Sequence, residues 1–212
     1  MTIIYLIRHS ESMKSKNLVF ESEIAEQLKN EKIPLSPDGE EKAKMISTSK
    51  ELENIDAIFC SEYERAISTA KYIANKNNTN INISSKLNER KIGDAEDLPK
   101  SFWLTQLEDE NAKAQNGENR KEVRERFLSY INELLMNYKN KRIVVVSHAT
   151  AITFLLMNWC ELVSANLEDK FRHLKFKDKD VINDIFRCPE IFKLSFDDKN
   201  NIEDIELIRE GD

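Results

Sequence analysis

The chain has 212 residues, a formal net charge of −6 at pH 7, 33% charged residues and 40% hydrophobic ones. This balance suits a soluble globular chain long enough for a substantial core. It argues against a general binder of nucleic acid or of anionic membranes, while leaving room for a cationic pocket on an acidic surface. Cys60, Cys160 and Cys188 are far apart, with no CxxC or Cys/His spacing. They read as free thiols in a reducing compartment, and no zinc site is expected. The N-terminus lacks a basic leader and every apolar stretch is too short to span a bilayer. A cytoplasmic protein with no membrane partner is therefore expected. No repeat or Pro/Gly/Ser-rich linker divides the chain, so one domain over 1–212 is expected.

Taken in order, Ile3-Ile4-Tyr5-Leu6-Ile7 predicts a buried strand over about 2–8, and it ends in Arg8-His9-Ser10-Glu11. Residues 10–34 are polar, with a helix expected around 20–31. Ser36-Pro37 predicts a helix start, Ser as N-cap and Pro at the first helical position. Asp38, Glu40 and Glu41 suit the positive end of its dipole, and the helix is expected to run to about Leu52. Ile55–Cys60 predicts a second strand. A helix over about 62–75 follows, with Ala66, Ala70, Ile73 and Ala74 on one face. Ile81 and Ile83 mark a short strand, and 86–100 a polar loop.

Helices are expected over about 100–113 and 118–139, the second with Val123, Phe127, Ile131, Leu134, Leu135 and Tyr138 on one stripe. The run Ile143-Val144-Val145-Val146 predicts a central parallel strand, apolar on both faces, and it ends in Ser147-His148. An apolar helix is expected over 150–160. Residues 161–188 show no clear pattern. Ile191–Phe196 and Ile202–Ile208 predict a hairpin turning at Asp197–Asn201. Strands alternating with helices imply a three-layer α/β/α sandwich with a mostly parallel central sheet.

Two of the three histidines in the chain lie just past the two clearest buried strands. In open α/β sheets, ligands bind beyond the carboxyl ends of strands. A third strand end contributes Ser61-Glu62-Tyr63-Glu64-Arg65-Ala66, with Arg65 in the first turn of a helix, where backbone N–H groups favour anions. Arg8, His9, Arg65 and His148 can therefore meet in one crevice. Two guanidiniums can hold phosphoryl oxygens, one imidazole can attack phosphorus in line, and the other can stabilise the equatorial oxygens. No GxGxxG follows the first strand, which disfavours a dinucleotide enzyme.

These segments resemble the histidine phosphatase superfamily, also called the phosphoglycerate mutase-like family. Arg8-His9-Ser10 with Glu11-Ser12 resembles its Arg-His-Gly motif. Ser61, Arg65, Ala66, Thr69 and Ala70 match its Ser-x-x-x-Arg-Ala-x-x-Thr-Ala motif. Leu87-Asn88-Glu89-Arg90 with Gly93 resembles its acid motif, and Gly117-Glu118 its Gly-Glu-Ser segment. Val144–His148 resembles the strand of its second histidine, and Leu35-Ser36 with Gly39 and Ala43 a weaker helix-start segment. The similarity spans about 2–160.

The resemblance implies a phosphoglycerate mutase-like fold with no cofactor and no metal. His9 would be the nucleophile, and Arg8, Arg65 and His148 would bind the phosphoryl group. Glu89 would be the proton donor and then the base for water. It also implies a phosphate contact a few residues past the histidine, with Ser15 and Asn17 as candidates and the spacing favouring Ser15. Ser10 and Arg90 are further substrate-binding candidates, and Lys91 and Trp103 lie near the expected entrance, with packing against the fold the favoured reading of Trp103. His9 should attack while neutral, its other nitrogen donating to a backbone carbonyl.

Ser10 and Ala149 depart from the family's glycines, where close backbone approach or positive φ is permitted. Ile92 stands where the glycolytic mutases carry a tyrosine, and their Arg-Arg-Ser segment is absent. The reading preferred is a phosphomonoester hydrolase acting through phosphohistidine on a small phosphorylated metabolite. Mutase-type transfer and a weakened phosphate-binding regulatory protein are the alternatives. A sugar phosphate, a phosphorylated acid, a nucleotide-like metabolite and a phosphoprotein all remain open as substrates, and nothing in the sequence specifies oligomeric state.

Overall fold

A computed structural model describes the chain except residues 22–23, 95–97, 100, 167–169 and 210–212. Apolar runs form the strands of a central sheet. They are β1 (Thr2–Arg8), β2 (Ala57–Cys60), β3 (Ile81–Ile83), β4 (Arg142–Ser147), β8 (Glu190–Phe196) and β9 (Ile202–Ile208). Their order is β3-β2-β4-β1-β8-β9. The first four are mutually parallel, and β8 and β9 add antiparallel as a hairpin. β4 lies between β1 and β2, with Ser147 beside Arg8 and Val146 beside Cys60. The three strand ends expected to carry chemistry are thus neighbours at the carboxyl end of the parallel strands, in the middle of the sheet.

The period of two along each strand divides the core into two faces. Ile4, Leu6, Phe59, Ile143 and Val145 pack under Val123, Phe127, Ile131 and Phe154. These come from α5 (Arg120–Asn137) and α6 (Ala149–Leu156). Tyr5, Ile7, Ile58, Val144 and Val146 pack against Ala66, Ala70 and Ile73 of α3 (Glu64–Asn77). Small residues on α3 allow it to lie close to the sheet. α2 (Pro37–Ile46) packs beside α3, completing the three layers expected.

Several expected elements are shorter than their patterns suggested. α1 spans only Glu26–Glu31 and α4 only Phe102–Glu108. α2 begins as expected, with Ser36 Oγ accepting from Gly39 N at 3.0 Å, but it stops at Ile46. There Ser47 and Thr48 hydroxyls donate to the carbonyls of Lys44 and Met45, a local competition that weakens helices. α4 stops where Asp109 accepts from the Asn111 amide in a side-chain turn.

The segment without a clear pattern folds into a second sheet: β5 (Glu161–Ala165), β6 (Phe171–Phe176) and β7 (Lys179–Ile185), in the order β5-β6-β7. Its inward residues Leu174, Phe176, Val181 and Ile182 join the core on the α5–α6 side. Among the described residues no helix is long and apolar enough to cross a membrane.

Candidate active site

Arg8 and His9 leave the end of β1, Ser61 follows β2, Arg65 sits in the first turn of α3, and His148 follows β4. The backbone is locked there, with His9 N donating to Ser147 O at 2.9 Å and Ser61 N to Val146 O at 3.0 Å. These bonds carry the sheet ladder one residue past each strand and fix where the side chains start.

His9 is 7% exposed. Its Nδ1 lies 2.6 Å from the Ser10 carbonyl oxygen. A carbonyl only accepts, so Nδ1 carries the proton and Nε2 the lone pair. Arg65 Nε donates to that Nε2 at 3.2 Å. Burial, and then the charges of Arg65 and Arg8, hold the imidazole well below its ordinary range of protonation. His9 is therefore neutral at physiological pH, with the tautomer expected.

His148 is fully buried, its ring 5.0 Å from that of His9. His148 Nε2 is 2.8 Å from Ser61 Oγ. The Ser61 hydroxyl donates onward to Asn88 Oδ1 at 2.9 Å, while Asn88 Nδ2 donates to Glu62. With the hydroxyl proton spent on Asn88, Nε2–H of His148 is the donor to Ser61. Nδ1 is left with a lone pair, buried without a hydrogen-bond partner. Burial, then the charges of His9 and Arg65, keep this ring neutral too. Tyr63 packs edge-on against His148 at 4.7 Å between ring centroids, and the Arg65 guanidinium lies 4.8 Å from the same tyrosine ring.

The arginines are held by carbonyls rather than by acids. Arg8 Nη1 donates to the carbonyls of Phe186 and Arg187, and Arg65 Nη1 to that of Asn30 at 2.6 Å. Glu190 stands opposite Arg8 in the β1–β8 pairing, but Arg209 takes both of its oxygens, at 3.0 and 2.9 Å. Both arginines keep their positive charge uncompensated by a paired carboxylate among the described residues.

Glu89 lies on the loop after β3. Its carboxylate accepts from the amides of Thr150 and Ala151, at the N-terminus of α6, and of Arg90. Backbone N–H groups there aim at negative charge. The loop is clamped from α5: Arg126 donates to the carbonyls of Lys86, Asn88 and Glu89. Arg126 also pairs with Glu118 at 2.8 Å, and Glu118 accepts from Lys91 N.

Ser10, Ser15, Asn17 and Arg90 are placed differently. Ser10 is fully buried, its hydroxyl donating to Gly39 O at 2.7 Å and its amide to Thr69 Oγ1 at 2.9 Å. Both groups are committed to packing α2 and α3. Ser15 and Asn17 sit on an exposed 3₁₀ turn. Ser15 lines a cleft of about 880 Å³ together with Asn30, Lys91 and Ile92. Asn30 joins this cleft to the site through its bond to Arg65. Arg90 turns to Gln106 Oε1.

Trp103 packs against the core with Arg172 5.4 Å from its ring. His173 pairs with Asp180. Among the described residues no group of three or more His, Cys, Asp or Glu could hold a metal ion.

Sequence reasoning did not find Asn88, Tyr63, Arg126 or Arg172. Asn88 and Tyr63 lie inside quoted motifs but act through neighbours. Arg172 carried a readable signal: in Phe171–Phe176 it shares its strand face with Leu174 and Phe176, a charge on an apolar face.

A family model described as the histidine phosphatase superfamily (branch 1) matches residues 4–175. No curated protein matches the chain by sequence. Among solved structures, mycobacterial glucosyl-3-phosphoglycerate phosphatase superposes with a TM-score of 0.66 at 20% identity, covering 97% of this chain and 96% of that one. Bacillus stearothermophilus YhfR superposes with a TM-score of 0.66 at 16% identity, covering 100% and 98%. A histidine-to-alanine mutant of Entamoeba histolytica phosphoserine phosphatase, in complex with phosphoserine, gives 0.62 at 19% identity, covering 97% of each. With the fold, the ordered motifs and the family match in agreement, the chain belongs to the histidine phosphatase superfamily, branch 1.

Proposed function

We propose that the protein is a metal-independent phosphomonoesterase that transfers the phosphoryl group of a small phosphorylated metabolite to His9 and then to water. One observation carries this reading: a buried, neutral imidazole whose Nδ1 is fixed on the Ser10 carbonyl and whose Nε2 lone pair faces Arg65. A nucleophile needs its lone pair free, and burial beside two arginines keeps it so.

The steps follow from this geometry. The phosphoryl dianion is held by Arg8 and Arg65, whose N–H groups turn from carbonyls and from His9 Nε2 to its oxygens. His9 Nε2 attacks phosphorus as the P–O bond to the alcohol breaks. Glu89, which enters this step as the protonated acid, gives its proton to the leaving oxygen and is left as the carboxylate held by backbone amides. His148 Nδ1 has a lone pair and no partner, so it takes a proton from solvent when the dianion arrives, holds it in a hydrogen bond to a phosphoryl oxygen, and returns it to solvent when phosphate leaves. Glu89 then removes a proton from water, which attacks phosphorus and releases His9 and inorganic phosphate. The arginines supply the positive charge that metal ions give in kinases.

The test is hydrolysis of a phosphomonoester panel with EDTA present. Wild type is expected to turn over, His9→Ala to lose turnover entirely, and Glu89→Gln to lose about 10²- to 10⁴-fold in kcat. Loss of wild-type turnover with EDTA, restored by a divalent ion, would contradict the reading. So would a His9→Ala variant as active as wild type.

A further inference from the structure

Arg172, on β6, the middle strand of the second sheet, has no role in the steps above. It is 6% exposed, and among the described residues no carboxylate pairs with it. Nη1 donates to the Lys170 carbonyl at 3.0 Å, while Nε is buried with no partner. Its guanidinium lies between two rings, 5.4 Å from the centroid of Trp103 and 4.9 Å from that of Phe186. The Phe186 ring also carries the Arg8 guanidinium at 5.4 Å, and its carbonyl accepts from Arg8. Arg172 and Arg8 therefore flank one aromatic ring, and β6 delivers Arg172 to the edge of the phosphoryl site.

Its charge environment agrees. Burial, and then repulsion from Arg8, push Arg172 down to about 10, with Glu89 opposing. Arg172 thus shares the Phe186 ring with Arg8 and feels the charge of Glu89, the group assigned to the leaving oxygen. Arg8 and Arg65 suffice for a phosphoryl dianion. A third guanidinium, buried without an acid, costs solvation that a second anion would offset. Packing alone between two rings is met as well by a neutral side chain, without a buried charge set beside that of Arg8.

We propose that Arg172 is a specificity-determining residue that binds a second anionic group on the alcohol half of the substrate. The preferred substrate is then a phosphomonoester bearing a carboxylate or another phosphate. Trp103 and Phe186 hold the guanidinium plane in place and exclude water from it, which strengthens a charge-assisted bond. The inference rests on the phosphomonoesterase reading for its site, but not on turnover for its test.

The test compares matched pairs that differ in the second anion. Phosphoserine against phosphoethanolamine isolates a carboxylate, and ribulose 1,5-bisphosphate against ribulose 5-phosphate isolates a phosphate. kcat/KM is measured for wild type, Arg172→Met and Arg172→Gln, and dissociation constants are measured by calorimetry in the His9→Ala background with and without each change. Wild type is expected to favour the doubly anionic member of at least one pair by about 10-fold or more. The pair that shows the preference identifies the anion. Arg172→Met is expected to bring that ratio toward one, and Arg172→Gln decides the matter where the Met variant does not fold.

Ratios near one for both pairs in wild type would overturn the proposal, as would a ratio that survives loss of the guanidinium. Turnover with ratios near one removes the Arg172 subsite and leaves the phosphatase reading standing. No turnover, with a binding ratio that collapses on Arg172→Met, removes the phosphatase reading and leaves the subsite standing.

Discussion

At His9, burial acts in two ways that chemistry needs together. It drives the imidazole toward its neutral form, and it places the lone pair beside guanidiniums that would gather a phosphoryl group. Because burial, Arg65 and Arg8 all push the His9 titration well below its ordinary 6.5, protonation of His9, the proposed nucleophile, occurs only in distinctly acid solution. The acid limb of kcat/KM is expected to fall below pH 6.5, since the protonated ring has no lone pair. A limb centred at or above 6.5 would mean that His9 is not the group titrating.

His148 depends on Ser61, the hydrogen-bond partner of its Nε2. Ser61→Ala removes that acceptor and the link to Asn88, and is expected to lower kcat by about 10-fold while the protein stays folded. Unchanged kinetics would mean that packing between Tyr63 and His9 orients the ring alone. His9, Arg8 and His148 were legible because they follow apolar runs whose periodicity marks strand ends. Arg65 was legible from its place in the first turn of a helix after the third strand end, and Glu89 only with the ordered motifs. Ser61–His148–Asn88 was not, since it joins three segments distant in sequence, and no spacing reports a hydrogen bond across strands.

At the scale of elements, α2 and the Arg126 clamp on the loop of Glu89 position the site without touching reacting atoms. A Cβ on Gly39 would lie 1.9 Å from the Glu11 carbonyl oxygen, so α2 can approach the segment after His9 only with glycine there. The Ser10 hydroxyl bond to Gly39 O depends on that approach. Gly39→Ala is expected to cost about 2 kcal/mol or more by urea unfolding, and Ser36→Ala about 1 kcal/mol through loss of the N-cap. A neutral Gly39→Ala would show that the α2–Glu11 contact is loose.

The Arg126 clamp on Glu89 makes a different demand. Arg126→Met releases three carbonyls and the Glu118 carboxylate. It is expected to lower kcat more than it raises KM, because Glu89 loses its place while Arg8 and Arg65 keep theirs. The start of α2 was readable from Ser36-Pro37, but its end was not. Whether the hydroxyls of Ser47 and Thr48 bond to their own backbone or leave the helix intact depends on what packs over them. The second sheet was missed for a related reason: β5 and β7 alternate weakly, and β6, which alternates well, carries the charge of Arg172 on its apolar face.

For the whole molecule, the two-faced core and the three adjacent strand ends follow from the same alternation, so fold and site location came from one signal. The price of the site is two neutral histidines in the interior. Their folded titration lies well below 6.5, so below that pH the unfolded chain binds more protons than the folded one. Stability is then present in full above about 6.5 and is lost as pH falls toward the folded values. Glu11, Glu40 and Glu118, each lowered from 4.5 in the folded state, weaken the fold only below about 4.5. Tm is therefore expected to fall by a few degrees between pH 7 and pH 5, and a flat profile over that range would place the histidines in contact with solvent.

The most direct measurement is to quench the wild-type protein during turnover of a phosphomonoester and map the phosphoryl group by mass spectrometry and acid lability. The expected result is an acid-labile, base-stable phosphoryl group on the peptide carrying His9, enriched in Glu89→Gln if that carboxylate activates water. Turnover with phosphate on another residue, or with no covalent intermediate trapped in either protein while product forms, would contradict the assignment of His9 as nucleophile.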